Sequence, residues 1–125
     1  MVKPTLQVID ESFSIHRLAP GAQIPEAVLA CTFHWIGRTD EETSIVCPSS
    51  LTVTGARTES GWSCIKVIGP IDFAVTGLLA ELSRLLAEAE ISVFALSTFD
   101  TDYLLVPSSR VDKAMAVLVR AGFRV

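Results

Sequence analysis

Residues 92–109 read SVFALSTFDTDYLLVPSS, and this stretch decides the fold. Two apolar runs flank a polar turn, which is the pattern of a β-hairpin, and Pro-Ser-Ser follows the second run. Residues 33–50, FHWIGRTDEETSIVCPSS, repeat this plan 59 residues earlier. At the same spacing of 59 residues, Val8-Ile9 aligns with Val67-Ile68. We therefore interpret the chain as a degenerate repeat in which each half begins with a strand and later forms a hairpin.

The second half predicts elements in the order β-α-β-β-α-β, the split βαβ pattern of ferredoxin-like α+β domains. Apolar residues recur at steps of three and four after Asp72, a candidate N-cap, and this spacing predicts a helix that ends near Glu88. Ser109 and Asp112 form a capping box for a second helix, which Gly122 ends. The predicted elements are a strand at 62–68, a helix at 72–88, strands at 91–97 and 103–106, a helix after residue 109 and a short strand at 123–125.

The first half follows the same plan in a reduced form. Residues 5–9 and 13–18 are typical of strands. Pro20, Gly21 and Pro25 interrupt the place where a long helix would lie, because proline removes a backbone donor and clashes with the preceding turn. Residues 25–31 leave room for about two helical turns before the hairpin at 33–47.

The repeat divides the chain into a reduced N-terminal unit, residues 1–60, and a complete C-terminal unit, residues 61–125. Residues 48–54 allow one short helical turn, and residues 55–61 are predicted to connect the units. The first unit is too small to hold a core alone. We expect it to share a sheet or a hydrophobic face with the second.

Composition excludes several classes of function. The chain has 125 residues, with 10 Lys and Arg against 14 Asp and Glu, so a nucleic-acid partner is not expected. No apolar run reaches the roughly 18 residues of a membrane span, and the N-terminus lacks the apolar stretch of a signal peptide. We therefore predict a soluble, cytoplasmic protein with no membrane partner.

The cysteines and histidines predict neither a metal site nor a catalytic centre. The three cysteines include no C-x-x-C pair, and the two histidines are too few for most metal centres. Cys31 lies three residues from His34, but nothing nearby is typical of an orienting carboxylate or an oxyanion pocket. We predict free thiols, no catalytic residues, no bound metal and no cofactor.

Two segments are candidates for ligand binding. The first is the loop Gly69–Phe73, where free backbone N–H groups before the longest helix would favour a small anion such as a carboxylate. The second is the turn Ser97–Asp102, whose carboxylates could hold an ammonium or guanidinium group. Each has an ordinary structural alternative: a strand-to-helix turn capped by Asp72, and a solvated hairpin turn.

The two segments come from different strands and need not touch within one split βαβ unit. A partner unit, either the first half or a second subunit, could bring them face to face. Such a cleft would carry N–H donors on one wall and carboxylates on the other. This arrangement is complementary to a zwitterion, and an amino acid is the simplest biological zwitterion.

The segment Ser97–Val106, preceded by Gly69–Phe73, resembles the ACT domain in its aspartokinase-like form. The chain is similar to small bacterial tandem-ACT proteins and to the CASTOR-type arginine sensors. The resemblance is specific in 62–119 and looser in 2–60. It implies a ligand site at an interface between ACT units, beside the first helix of one unit. The implied ligand-binding residues are Pro70, Ile71, Asp72 and Phe73 in the loop, with Thr98, Phe99, Thr101 and Asp102 in the turn.

The resemblance implies a non-catalytic regulatory protein that binds a small ligand, usually an amino acid. Asp102 is the expected acidic contact. In the first copy Thr43 matches this position, so a second equivalent site is not expected there. ACT-like units commonly associate, which implies a homodimer whose output is an unknown protein partner or a change of assembly. The alternative function is a ligand-free dimeric adaptor, in which Asp100 and Asp102 are solvated turn residues.

Overall fold

A computed structural model of the chain describes residues 3–68 and 77–125. Its backbone contacts form two compact units. The large unit comprises Met1–Asp10 and Ser63–Val125, and the small unit comprises Glu11–Trp62. The long strands β1 (Leu6–Leu18) and β4 (Arg57–Val67) contribute residues to both units. The sequence-based division into 1–60 and 61–125 differs from this partition in placing residues 1–10 with the first half and residues 61–62 with the second.

The large unit contains the predicted order of helices and strands. After β4 come α2 (Leu78–Glu88), β5 (Phe94–Ser97), β6 (Asp102–Pro107), a single 3-10 turn (Ser108–Arg110) and α3 (Val111–Arg120). The strand order is β1-β4-β6-β5, and β5 runs antiparallel to β6. Both helices turn apolar faces to the sheet. The core consists of Leu6, Ile65, Val67, Leu78, Leu82, Leu86, Ile91, Leu104, Val106, Ala114, Leu118 and Phe123.

The N-terminal residues belong to the large unit because their backbone groups are paired there. The Leu6 N–H donates to the Arg124 carbonyl at 2.7 Å, and the Ile68 N–H donates to the Thr5 carbonyl at 2.8 Å. Thr5 and Arg124 form an isolated parallel bridge. The predicted final strand at 123–125 is therefore reduced to this bridge.

Lys3 ties the same N-terminal segment to both helices. Its ammonium donates to the Ala121 carbonyl at the end of α3 and lies 3.2 Å from the Glu81 carboxylate on α2. A cation at a helix C-terminus also interacts favourably with the helix dipole. Gly122, with φ of +105°, ends α3 as predicted.

Two predicted helix starts are wrong. Gly77 has φ of +84°, a left-handed conformation that glycine adopts without strain, and α2 begins at Leu78 directly after it. A helix running without interruption from residue 72 to 88 is therefore excluded, and Asp72 itself lies outside the described residues. Within the described chain, α3 has no side-chain hydrogen bond at its N-cap, Arg110, because the 3-10 turn occupies the place of the predicted Ser109 capping box.

The small unit is built from α1 (Glu26–Ala30), β2 (Trp35–Arg38) and β3 (Thr43–Pro48), together with its share of β1 and β4. Its strand order is β2-β3-β1-β4, and β3 runs antiparallel to both β1 and β2. The predicted hairpin and the short helix after Pro25 are confirmed. The buried core is smaller: Leu18, Val28, Ile45, Cys47 and Val53.

Two predictions for this region need correction. Residues 5–9 and 13–18 are parts of one continuous strand, β1, instead of two. Residues 55–61 are not simply a connector, because β4 already begins at Arg57. The first residues of β4 lack the alternation of apolar and polar residues that would predict a strand. In the structure the Thr58 side chain hydrogen-bonds His16 of β1 at 2.8 Å. Within the described ranges, no helix combines the length and apolar character that crossing a bilayer requires.

Candidate functional site

The turn between β5 and β6 is held in shape by its own polar groups. The Thr98 N–H donates to the Thr101 carbonyl at 2.9 Å. The Thr98 hydroxyl donates to that carbonyl at 3.3 Å and accepts from the Thr101 N–H at 3.4 Å. Short threonine side chains favour such local bonds to backbone groups, which is why they suit turns. The hydrogen bonds of its own residues therefore order this turn.

Thr101 fastens this turn to the end of β4. Its side chain is buried, with 6% of its surface exposed, and its hydroxyl donates to the Val67 carbonyl. Val67 is the last residue of β4, two residues before the predicted ligand loop begins at Gly69. From the sequence, the two candidate segments need not touch within one unit, and a partner unit could bring them together. The large unit by itself brings the turn to the strand end from which the loop departs.

Pro70, Ile71, Asp72 and Phe73 lie outside the described residues. Their predicted role as donors to a ligand carboxylate remains a prediction. The described chain resumes at Gly77, whose carbonyl accepts the Glu81 N–H at 2.8 Å in the first turn of α2.

Asp102 is the half-buried carboxylate at the start of β6. It pairs with Ser97 across the hairpin, and the Ser97 hydroxyl donates to its Oδ1 at 2.6 Å. Within residues 3–68 and 77–125, Ser97 is its hydrogen-bond partner, and no described lysine or arginine lies within ion-pair distance of it. An ionised carboxylate has about four lone-pair sites. Among the described residues, one bond thus orients Asp102 and leaves acceptor sites that suit a cationic group.

The remaining turn residues are exposed. Phe99 at the tip has 80% of its surface exposed, and Asp100 is also open to solvent. Asp100 contributes to the electrostatics of the neighbouring strand: the pKa of Tyr103 is raised by burial first, then by the Cys64 thiol and the Asp100 carboxylate. The Asp100 carboxylate therefore disfavours a negative charge on Tyr103.

The small unit contains the matching turn between β2 and β3. The Thr39 N–H donates to the Glu42 carbonyl at 3.0 Å, and the Thr39 hydroxyl accepts the Glu41 and Glu42 N–H groups at 3.1 Å each. The pair that closes this turn is Arg38 and Thr43. These residues stand where Ser97 and Asp102 stand in the large unit, at the 59-residue spacing.

The thiols and histidines form no further candidate centre in the described chain. All three cysteines are free, as predicted. Burial raises the pKa of Cys64 to about 12, and burial followed by the nearby Cys31 raises that of Cys47 to about 11. Cys31 Sγ lies 3.8 Å from His34 Nδ1, but that nitrogen is closer, at 3.0 Å, to the Cys31 carbonyl oxygen. Among the described residues no three metal-ligating side chains come together.

Comparison with known protein families assigns this chain to one of them. The sequence model of the ACT domain matches residues 57–120, just over half of the chain. The chain therefore belongs to the ACT domain family. Its α+β architecture, with ferredoxin-like βαβ repeats of which the first is reduced, is the fold of this family.

Solved structures agree with this assignment. Protein Atu0741 from Agrobacterium tumefaciens is 36% identical, with a TM-score of 0.89 over 98% of this chain and 91% of that one. The ligand-free regulatory subunit of aspartate kinase from Thermus thermophilus superposes with a TM-score of 0.72 over 98% of this chain and 99% of that one. At 8% identity the second match shows a shared fold alone.

Curated relatives are sensor proteins. The human cytosolic arginine sensor for mTORC1 subunit 1 is 35% identical over 82 residues, which is 65% of this chain and 25% of that protein. The bovine sensor of the same name gives the same values. The chain thus spans about a quarter of the length of the curated relatives it matches.

Sequence reasoning missed two contacts that organise the turn. The first is the Ser97 hydroxyl on Asp102, which the pairing of the predicted strands could have suggested, since the two residues face each other at the hairpin end. The second is the Thr101 bond to the Val67 carbonyl. No sequence signal marks that bond, because it depends on β6 lying beside β4.

Proposed function

We propose that the chain is a non-catalytic regulatory protein that binds an amino acid at its large unit. In this proposal Asp102 receives the positive group of the ligand. The loop of Pro70, Ile71, Asp72 and Phe73 receives its carboxylate, and Thr98, Phe99 and Thr101 shape the turn between them. The protein acts in the cytoplasm as a homodimer and passes its ligand state to a protein partner.

The observation that carries this proposal is the state of Asp102. A half-buried carboxylate that is held by Ser97 at 2.6 Å, with no described cation beside it, is prepared for an external one. Thr98 already orders the turn and Thr101 anchors it. Ordering the turn would therefore take little from the free energy of ligand binding. A guanidinium or ammonium group would form charge-assisted hydrogen bonds with the remaining lone pairs.

The family relationship supports the class of ligand. The curated relatives are named arginine sensors, and a structural neighbour is the regulatory subunit of aspartate kinase. An arginine or lysine side chain would suit Asp102, as would the α-ammonium group of any amino acid. Cationic amino acids are therefore the first members of the panel to be tested.

The experiment is a thermal-shift screen of the purified chain against the twenty amino acids at millimolar concentration. A ligand present at 100 times its Kd stabilises the folded state by about 2.7 kcal/mol, which raises Tm measurably. Asp102→Asn should weaken binding by about tenfold or more, because hydrogen bonds to a charged group contribute about 1.5–3 kcal/mol.

Asp100→Asn is the matched control. It removes the same charge from the same turn, but Asp100 is exposed and lies outside the strand pair. Wild type and Asp100→Asn should respond to the same amino acid with similar Kd. A flat response of the wild-type chain across the whole panel would overturn the proposal, as would equal loss of binding in both variants.

The second candidate is a ligand-free dimeric adaptor, and the exposure of Phe99 favours it. An aromatic side chain with 80% of its surface exposed at a turn tip is a suitable anchor for a protein partner. This candidate predicts no thermal shift with any amino acid, and dissociation of the dimer in sedimentation when Phe99→Ser is introduced. If Phe99→Ser leaves the assembly unchanged and an amino acid stabilises the chain, the adaptor is excluded.

A further inference from the structure

The turn between β2 and β3 of the small unit matches the turn between β5 and β6 in its backbone hydrogen bonds. In both turns the first threonine donates its N–H to the carbonyl three residues on, at 3.0 Å from Thr39 and 2.9 Å from Thr98. In both, the same hydroxyl accepts the N–H of that later residue, at 3.1 Å from Glu42 and 3.4 Å from Thr101. The 59-residue spacing of the sequence repeat is therefore the correct spacing for the two hairpins.

The strand before each turn aligns at a different spacing. Ser14 of β1 bonds Ser49 at 2.7 Å, and Ser63 of β4 bonds Ser108 at 2.9 Å. Ser49 and Ser108 are the first serines of the two Pro-Ser-Ser motifs, so Ser14 corresponds to Ser63, 49 residues on. The ends of the strands, Leu18 and Val67, keep the same spacing.

This alignment replaces the sequence-based match of Val8-Ile9 with Val67-Ile68. It also identifies the segment of the small unit that corresponds to the predicted ligand loop. Ala22 is the fourth residue after Leu18, as Ile71 is the fourth after Val67. Residues 20–24 thus correspond in sequence to residues 69–73.

The Arg38 side chain contacts two positions of the small unit that match, in sequence, the two proposed ligand-binding segments of the large unit. Its guanidinium donates to the Ala22 carbonyl at 2.6 Å and to the Thr43 hydroxyl at 3.4 Å. Ala22 belongs to the segment that matches the ligand loop, and Thr43, which is fully buried, takes the position of Asp102. One planar cation of this chain therefore contacts both the segment that matches the loop in sequence and the residue that takes the position of Asp102.

We propose that the small unit contains a guanidinium-binding site that is permanently filled by its own Arg38. The site consists of the Ala22 carbonyl and the Thr43 hydroxyl, which are both neutral acceptors matched to a planar N–H fork. A tethered cation needs no carboxylate partner, because it loses little translational freedom on binding. This accounts for the exchange of Asp102 in one copy for Thr43 in the other.

The site has a consequence for stoichiometry, which rests on the proposed function. If the large unit binds an amino acid, each chain binds one molecule and not two, since the equivalent position is already filled. The existence of the Arg38 site does not depend on that function. Its test uses the small unit's residues and a probe that is not an amino acid.

The test is chemical rescue of Arg38→Ala with methylguanidinium chloride at about 20 mM, well below denaturing concentrations. Removing the side chain leaves the Ala22 carbonyl and the Thr43 hydroxyl without their donor, so Tm should fall. Methylguanidinium should restore part of the loss, and should shift the amide signals of residues 22 and 43 in two-dimensional NMR spectra. Methylammonium at equal concentration controls for charge without the planar fork.

Arg17→Ala is the matched variant. Arg17 reaches the same turn, donating to the Glu41 carbonyl at 3.4 Å, but its side chain does not bridge to the 20–24 segment in the described contacts. It should show no response to methylguanidinium beyond that of the wild type. Arg38→Lys provides a second variant if Arg38→Ala fails to fold: it keeps the charge, loses the fork, and should still respond to methylguanidinium.

The outcomes decide the proposal. A methylguanidinium response of Arg38→Ala or Arg38→Lys at residues 22 and 43, absent from wild type and Arg17→Ala, supports it. An equal response of all variants, or no response of either Arg38 variant, overturns it. If the amino-acid screen fails and this rescue succeeds, only the proposed function is contradicted. If the screen succeeds and the rescue fails, only the Arg38 site is contradicted.

Discussion

The two hairpin turns share a backbone hydrogen bond but are closed by residue pairs of opposite charge. Each is closed by a threonine that bonds the residue three positions on, and each ends in a cross-strand pair. In the large unit that pair is Ser97 with Asp102, and in the small unit it is Arg38 with Thr43. The threonine sets the shape of the turn, whereas the closing pair places a carboxylate at its base in the large unit and a guanidinium in the small unit. A duplicated hairpin can therefore exchange a carboxylate for a guanidinium at its base by changing two residues.

The helices of the two units differ in what they contribute to the cores. Helix α2 spans 11 residues and buries Leu78, Leu82 and Leu86, whereas α1 spans five residues and buries Val28. The strands β1 and β4 align at a spacing of 49 residues, and the two hairpins align at a spacing of 59. The ten additional residues of the large unit therefore lie between strand and hairpin, in the segment that contains the helix. The small unit keeps its turn and sheet but has lost most of the helix that would cover them.

The largest effect that tests this comparison is expected from Leu82→Ala. Leu82 is fully buried in the large core, so its truncation should reduce the free energy of unfolding by about 2–5 kcal/mol. Leu29→Ala on α1, where 55% of the side chain is exposed, should change it by less than about 0.5 kcal/mol. Urea titration of both variants measures the difference. A large cost at Leu29 would show that α1 is covered in solution and that the helices are not unequal.

A smaller effect is expected from the turn threonines. The Thr39 hydroxyl accepts two backbone N–H groups at 3.1 Å, whereas the Thr98 hydroxyl makes two longer bonds: it accepts one N–H at 3.4 Å and donates to the Thr101 carbonyl at 3.3 Å. Because a net hydrogen bond contributes about 0.5–1.5 kcal/mol, Thr39→Ala should reduce the free energy of unfolding by about 1 kcal/mol and Thr98→Ala by less. Serine at each position retains the hydroxyl and should restore stability. A greater cost at Thr98 would contradict the shared turn frame.

Sequence reasoning recovers what local patterns determine. The apolar-turn-apolar pattern of residues 92–109 predicts β5 and β6, and the stop at Gly122 follows from its allowed left-handed φ. The proline-rich segment before residue 26 correctly predicts a short α1. The repeat predicts two turns that match in hydrogen bonding. These features depend on residues close together in sequence.

Features that depend on distant partners were missed. The N-terminal segment joins the large unit through Arg124 and Ile68, which no local pattern reveals. The start of β4 has a polar sequence and extends beside β1 through pairing alone. The Thr101 bond to Val67 and the Arg38 bond to Ala22 also cross between elements. The candidate site was therefore predicted as two separate segments, without the contacts that position the turn.

The smallest effect is expected from His16, which the alignment of the two units matches with Ile65. His16 is 3% exposed, its Nδ1 bonds Thr58, and its Nε2 has no partner among the described residues. Burial lowers its pKa below the usual 6.5, so the unfolded chain binds a proton there more readily than the folded one.

The contribution of His16 to stability is therefore fully present above pH 6.5 and is lost as the pH falls through the folded-state pKa. His16→Ile, which places in the small unit the residue that the large unit already has, should reduce the fall in stability between pH 7.5 and 5. The control is Leu29→Ala, an exposed position without a titratable group, which should leave the slope unchanged. Urea titrations across this pH range measure it. An equal slope in wild type and His16→Ile would mean that His16 does not titrate differently in the folded chain, and the buried histidine would then distinguish the two units by packing alone.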